Sequence, residues 1–269
     1  RSGRGPKLAL AGGATATVVA WTAASWLGDV PFPTSHGLTY LVAFAFTSLG
    51  LVCFAAIREP RTPVDIEPRS LRATVGDVRH MLAHDAAFTW YCAARGLGAL
   101  GLMAAPFLIV AIGTAGNALD ARDLAHASVA FFVAGTGANL VWGVLADRAG
   151  FRLVFLLGSA AWIGALAWMS VVAPTSAAAV PLFLLVGAAQ SGIQMASINL
   201  VYELTDHAQL GIRIAVVNAI GELCAAIGPL VGGAIADAAS YEMLYGIAMT
   251  FSTLGAACMF ARVGPARRP

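Results

Sequence analysis

Eight mostly apolar stretches, each about 20 residues or longer, divide this chain, at roughly 8–28, 37–57, 86–113, 124–143, 153–173, 178–202, 213–236 and 241–261. An α-helix needs about 20 such residues to cross a hydrocarbon core about 30 Å thick. The runs are continuous rather than alternating and too long for barrel strands, so β structure is disfavoured. Composition points the same way: 59% of residues are hydrophobic and only 11% charged, against roughly a quarter charged in a soluble domain. A water-soluble core cannot absorb this much apolar surface, whereas lipid can. The expected fold is all-α and integral to the membrane, a polytopic bundle of eight spans. Turn chemistry falls between the runs, at Asp29-Val-Pro-Phe-Pro33, Gly116-Asn117 and Pro174-Thr-Ser176.

An even number of spans puts both termini and every second loop on one face. That face carries fourteen basic residues, among them Arg1, Lys7, Arg58, Arg72, Arg148, Arg152, Arg213 and Arg262; the opposite face carries only Arg122, and Arg95 lies within a span. Basic residues concentrate on the cytoplasmic side, so both termini are expected there, in a plasma membrane. Only one loop is long, 58–85. Its first part holds Pro60, Pro63 and Pro68; its second spaces Leu71, Val75, Val78 and Leu82 at helical steps, which predicts an amphipathic helix on the cytoplasmic membrane surface. A disordered tether is the rival reading. Cys53, Cys92, Cys224 and Cys258 lie in apolar stretches without C-x-x-C spacing and read as small hydrophobes.

The loop between the fourth and fifth runs reads Gly143-Val-Leu-Ala-Asp-Arg-Ala-Gly-Phe-Arg152. Gly143, Leu145, Asp147, Arg148, Gly150 and Arg152 match a signature that joins two transmembrane helices in the major facilitator superfamily of secondary transporters, which the chain resembles; Phe151 stands where that family usually has a basic residue. The resemblance implies two six-helix halves joined by a long cytoplasmic loop. On that plan 1–57 resembles the last two helices of an N-terminal half, 58–85 the linker, and 86–269 a complete C-terminal half, which implies four family helices outside this sequence. It also implies that Asp147 sits near the start of the first span, around Gly5 to Leu8, stabilised by that helix dipole. Capping of the following helix by Asp147 is the alternative. A second element, Gly228-Pro229-Leu-Val-Gly232-Gly233, resembles a glycine-proline motif of drug–proton antiporters, displaced here to the pseudo-equivalent helix. Proline removes a backbone donor and the glycines admit a neighbouring helix, so Gly228, Pro229, Gly232, Gly233 and Pro106 are candidate helix hinges, with tight packing the blander reading.

Charges inside spans are expensive and functional by default. Two lie deep, Arg95 and Glu222, each nine residues into its run. Their similar depth predicts an ion pair. Snorkelling of Arg95 to the interface, and a buried Glu222 held by Asn218 one turn away, are the competing readings. Gln190, Gln194 and Ser197 share a helix face suited to lining a cavity or to bonding between helices; Asn139, Trp90, Tyr91 and Asn199 are weaker candidates. The resemblance implies that these spans line the family's cavity. No nucleotide-binding glycine loop, nucleophile–base set or metal-ligand spacing is present, so no enzymatic activity, cofactor, metal or nucleic-acid partner is expected. The expected partners are the lipid bilayer, a small-molecule solute and a coupling proton. The reading is secondary transport by alternating access; a non-transporting scaffold or transporter remnant is the alternative.

Overall fold

The computed structural model describes residues 30–31, 33–56, 70–114, 121–172, 176–205 and 209–264. Every regular element among them is helical, and seven helices are long and apolar enough to cross a membrane. The span expected at 8–28 lies outside the described residues. Helix α1 is Thr34–Ala55, and none of its apolar window is buried.

Helix α2, Leu71–His84, covers the expected amphipathic segment. Ser70 caps it by accepting from the Ala73 amide at 3.3 Å, which satisfies one of the orphan donors of the first turn. Its inward stripe is Val78, Met81 and Leu82, while Val75 stays exposed. The Thr89 hydroxyl donates to the Leu82 carbonyl at 2.6 Å and ties α2 to the helix that follows.

The third apolar run is broken. Helix α3, Ala86–Gly101, gives way to a 3-10 turn at Leu102–Ala104 and then to α4, Ala105–Thr114. Pro106 is the cause: it has no N–H for the carbonyl four residues back, and its ring crowds that carbonyl. The Leu102 carbonyl takes the Ala105 amide instead, which leaves the Gly101 carbonyl without its usual donor. The buried Trp162 supplies one, its indole N–H donating at 3.0 Å.

Four long helices complete the bundle: α5 Ala121–Ala149, α6 Phe151–Val171, α7 Ser176–Leu204 and α8 Leu210–Ala238, followed by α9 Tyr241–Arg262. The polar segment 143–152, expected as a loop, is almost entirely helical. Its Ala, Asp and Arg residues are compatible with helix, so α5 runs through Ala149 and α6 begins at Phe151, with only Gly150 between them. The end of the bundle that holds Gly150 is termed the hinge end. The core is centred on Trp162, Tyr91, Tyr245, Phe88 and Phe155. Lipid supplies no hydrophobic drive between helices, so close approach of small residues carries the packing. The tightest approach to another helix's backbone is at Gly187 of α7, where any Cβ would collide with the Phe131 carbonyl of α5.

Candidate functional site

A cleft of about 330 Å³ opens between α5 and α7, with Leu102 of the 3-10 turn at its side. Three residues singled out from the sequence meet there: Asn139 from α5, and Gln190 and Gln194 from α7. Thr136, Phe131 and Phe132 join them; the sequence reading missed these three. Helical spacing explains the convergence, since 132, 136 and 139 lie on one face of α5 and 187, 190 and 194 on one face of α7. Gln190 is fourteen residues from either end of α7 (176 to 190 and 190 to 204), the middle of the membrane crossing. The amides of Asn139, Gln190 and Gln194 have no hydrogen-bond partner among the described residues. Polar groups withdrawn from bulk water need partners, so this cleft holds open hydrogen-bonding capacity beside two phenyl rings. One wall is stiffened by Trp142, which lies over Gly192 and donates its indole N–H to the Ala188 carbonyl at 2.9 Å.

Other cavity candidates fall elsewhere. Tyr91 is fully buried and donates its hydroxyl to the Ser197 carbonyl, joining α3 to α7. Asn199 bonds back to Met195 of its own helix at 2.8 Å, and Trp90 sits at the hinge end beneath Arg262. The expected Arg95–Glu222 pair is absent among the described residues. Arg95 is 8% exposed, and its guanidinium lies over Gly221 of α8. Glu222, the next residue, is turned by roughly 100° of helix rotation onto the exposed side of α8 with Asn218. Neither of those two lines the cleft.

The proline and glycine candidates form one contact. Gly228 and Gly232 of α8 are buried against Met103 and Phe107, where the third run is broken, and Gly233 also meets Phe107; Pro229 is exposed. The glycine surface of α8 therefore lies against the break that Pro106 makes. Helix α8 itself continues unbroken through Pro229.

At the hinge end, Gly150 has φ 86° and ψ 160°, a conformation open essentially to glycine alone. Its role in the signature is conformational, since it lets two membrane helices reverse direction across one residue. Asp147 is exposed on α5 and has no partner among the described residues, and the Gly150 position caps α6 without a side chain. Asp147 therefore does not cap the following helix, and the expected contact near Gly5 to Leu8 lies outside the described residues. Glu203 does that work instead: its carboxylate accepts from the Phe151 amide at 3.5 Å. Nothing local in the sequence marks this contact, which spans fifty-two positions. Arg152 donates to the Met259 carbonyl at 3.3 Å and to the Phe260 carbonyl, capping the last turn of α9. Arg148 is exposed, Gly143 lies inside α5 with open space around it, and Leu145 packs half-buried against the core.

Residues 91–269 match the family model of the Major Facilitator Superfamily. The chain belongs to that superfamily. It is therefore a multi-pass membrane protein of a transporter family, and members of that family are generally not enzymes. No curated protein matches the sequence. Within the superfamily plan, α3 to α9 supply the C-terminal part, and the signature between α5 and α6 joins two of its helices.

Proposed function

We propose that this chain is a secondary active transporter, or the C-terminal two-thirds of one, that moves a small solute across the cytoplasmic membrane by alternating access. The observation that carries the reading is the cleft. Asn139, Gln190 and Gln194 present unpaired amides halfway across the membrane, where transporters of this kind bind their cargo at the midplane. Basic residues at the hinge end, Arg148, Arg152, Arg213 and Arg262 with Arg72 and Arg79 before them, favour a cytoplasmic hinge end and cytoplasmic termini. Glu222, deep in α8 and exposed beside Asn218, is the candidate proton carrier. Its face meets no other described helix, and a carboxylate turned to lipid is costly. Pro106 with the Gly228–Gly233 surface is proposed as the site of bending during access.

The test uses the chain with its flanking coding sequence, purified and reconstituted in proteoliposomes with a panel of labelled solutes. Saturable counterflow that Gln190→Ala and Gln194→Ala each weaken is the expected result, and Glu222→Gln is expected to flatten the pH dependence of net flux while sparing exchange. Flux indifferent to both glutamines would remove the cleft from the pathway. Absence of solute flux altogether would favour the scaffold reading. Sidedness is checked with single cysteines in a background lacking the native four. Asp65→Cys and Ala149→Cys should resist labelling from outside, while Thr34→Cys and Ala118→Cys react; the reverse pattern would invert the assignment.

A further inference from the structure

Arg95 is a cation within an apolar bundle, and no carboxylate among the described residues pairs with it. It is 8% exposed and has no hydrogen bond or ion pair among the described residues. A guanidinium offers five donors in a planar fork, and leaving it buried without an acceptor is unfavourable. Glycine at 221 makes the room: a Cβ there would stand 3.0 Å from Cζ, Nε and Nη2 of Arg95.

Its depth follows from one contact. The Tyr91 hydroxyl bonds the Ser197 carbonyl, which sets these two residues at one level of α3 and α7. The helices run in opposite directions, so four residues forward on α3 and three back on α7 climb similar heights, about 6 Å and about 4.5 Å. Arg95 and Gln194 therefore share a level, and Gln194 lines the cleft. Leu102, seven residues beyond Arg95 on the same helix face, lines it too. A fully buried polar group lies at this end too: the Ser197 hydroxyl has no partner among the described residues.

We infer that Arg95 and Ser197 form an oxyanion site at the hinge-side end of the cleft, and that the cargo is a small organic anion. Its carboxylate or phosphate head occupies the Arg95 fork, where paired N–H···O bonds are strongest. Its uncharged, hydroxyl- or amide-bearing body faces Gln194, Gln190 and Asn139. The site stands on the geometry around Arg95; only the word cargo rests on the transport reading.

The test is footprinting of the full chain in lipid nanodiscs with phenylglyoxal, with adducts counted by mass spectrometry at Arg95 and, as an internal control, at Arg152. Benzoate, gluconate and inorganic phosphate are compared with sorbitol and choline at constant ionic strength. At about ten times its Kd, a protecting anion should slow the Arg95 adduct about tenfold, leave Arg152 unchanged, and find no match in sorbitol or choline. Three results would each overturn the site: no protection by any of the three anions, equal protection by sorbitol, or an unreactive Arg95 beside a reactive Arg152. Protection in a protein that moves no solute would keep the site and remove the transport reading. Flux of neutral solutes with no protection would do the opposite.

Discussion

Two glycines of one signature should respond oppositely to the same substitution. Gly150 adopts φ 86°, ψ 160°, a region that a side chain makes unfavourable by about 1–3 kcal/mol. A Cβ at this position would meet nothing nearer than the Glu203 carboxylate at 3.9 Å, so the cost of Gly150→Ala is conformational, not steric. Alanine also restricts the unfolded chain, which returns about 0.4–1 kcal/mol. The net expectation is a loss of about 1–2 kcal/mol. Gly143 sits inside α5 with nothing within 4 Å of an added Cβ, and there Gly→Ala should stabilise by about 0.5–1 kcal/mol. The two variants should therefore differ by about 2 kcal/mol, roughly thirtyfold in the unfolding equilibrium. Reversible SDS-driven unfolding in mixed micelles, followed by tryptophan fluorescence, resolves a gap of that size. Equal losses at both positions would refute the reasoning and assign both glycines to close contact with another helix. An unchanged Gly150→Ala protein would refute the backbone argument itself.

Asp85 accepts from Arg213 at 2.6 Å and caps α3 through the Phe88 amide; a double-mutant cycle with Asp85→Asn and Arg213→Met should show coupling of about 0.5–2 kcal/mol in the same unfolding assay, and additive losses would mean the pair contributes nothing. Gly187→Ala should cost about 1–3 kcal/mol or more, because its Cβ meets the backbone of Phe131 rather than a side chain that can move; a neutral result would mean α5 and α7 stand further apart. Trp162→Phe keeps the ring in the core but strands the Gly101 carbonyl, so a loss of about 1–3 kcal/mol is expected, and restoration of a straight helix in Pro106→Ala should erase most of it.

The membrane runs and the reversal near 143–152 were legible because apolar length and glycine placement report directly on backbone paths. The extent of the hinge was not. Charged residues at the end of a membrane helix look like loop, yet Asp147, Arg148 and Arg152 are all helical. Asn139, Gln190 and Gln194 were recoverable because each is a polar residue placed mid-span. Phe131 and Phe132 were not, since an apolar residue beside a cleft looks the same as one facing lipid; Thr136, a hydroxyl one turn before Asn139, carried the same polar signal and was overlooked. The Arg95–Glu222 pairing failed on rotation, not on the choice of residues. A signal for the right rotation was present: Gly221, Gly228 and Gly232 recur at intervals of seven and four, and such a stripe marks the packed face of α8. With that face turned toward α3, Glu222 must point away. The Glu203 cap had no local signal at all.

Arginines also hold the hinge end of the bundle together. Arg152 of α6 binds the last carbonyls of α9 and lies 5.4 Å from the Phe260 ring. Arg262 of α9 lies 5.3 Å from the Trp90 ring on α3. Arg213 of α8 reaches Asp85 and sits 4.7 Å from the Phe88 ring on α3. Glu203 of α7 closes the series by capping α6. These contacts string together α7, α6, α9, α3 and α8, and each arginine among them uses a feature that lysine lacks or shares poorly: a planar fork for oxygen acceptors, or a flat cation for an aromatic face. None of these four contacts involves helix α5. Gly150 alone separates it in the chain from α6, it forms one wall of the cleft, and it carries the exposed Asp147 at its hinge end. An acid kept out of a network that engages so many of its neighbours fits a group whose partner lies beyond these helices.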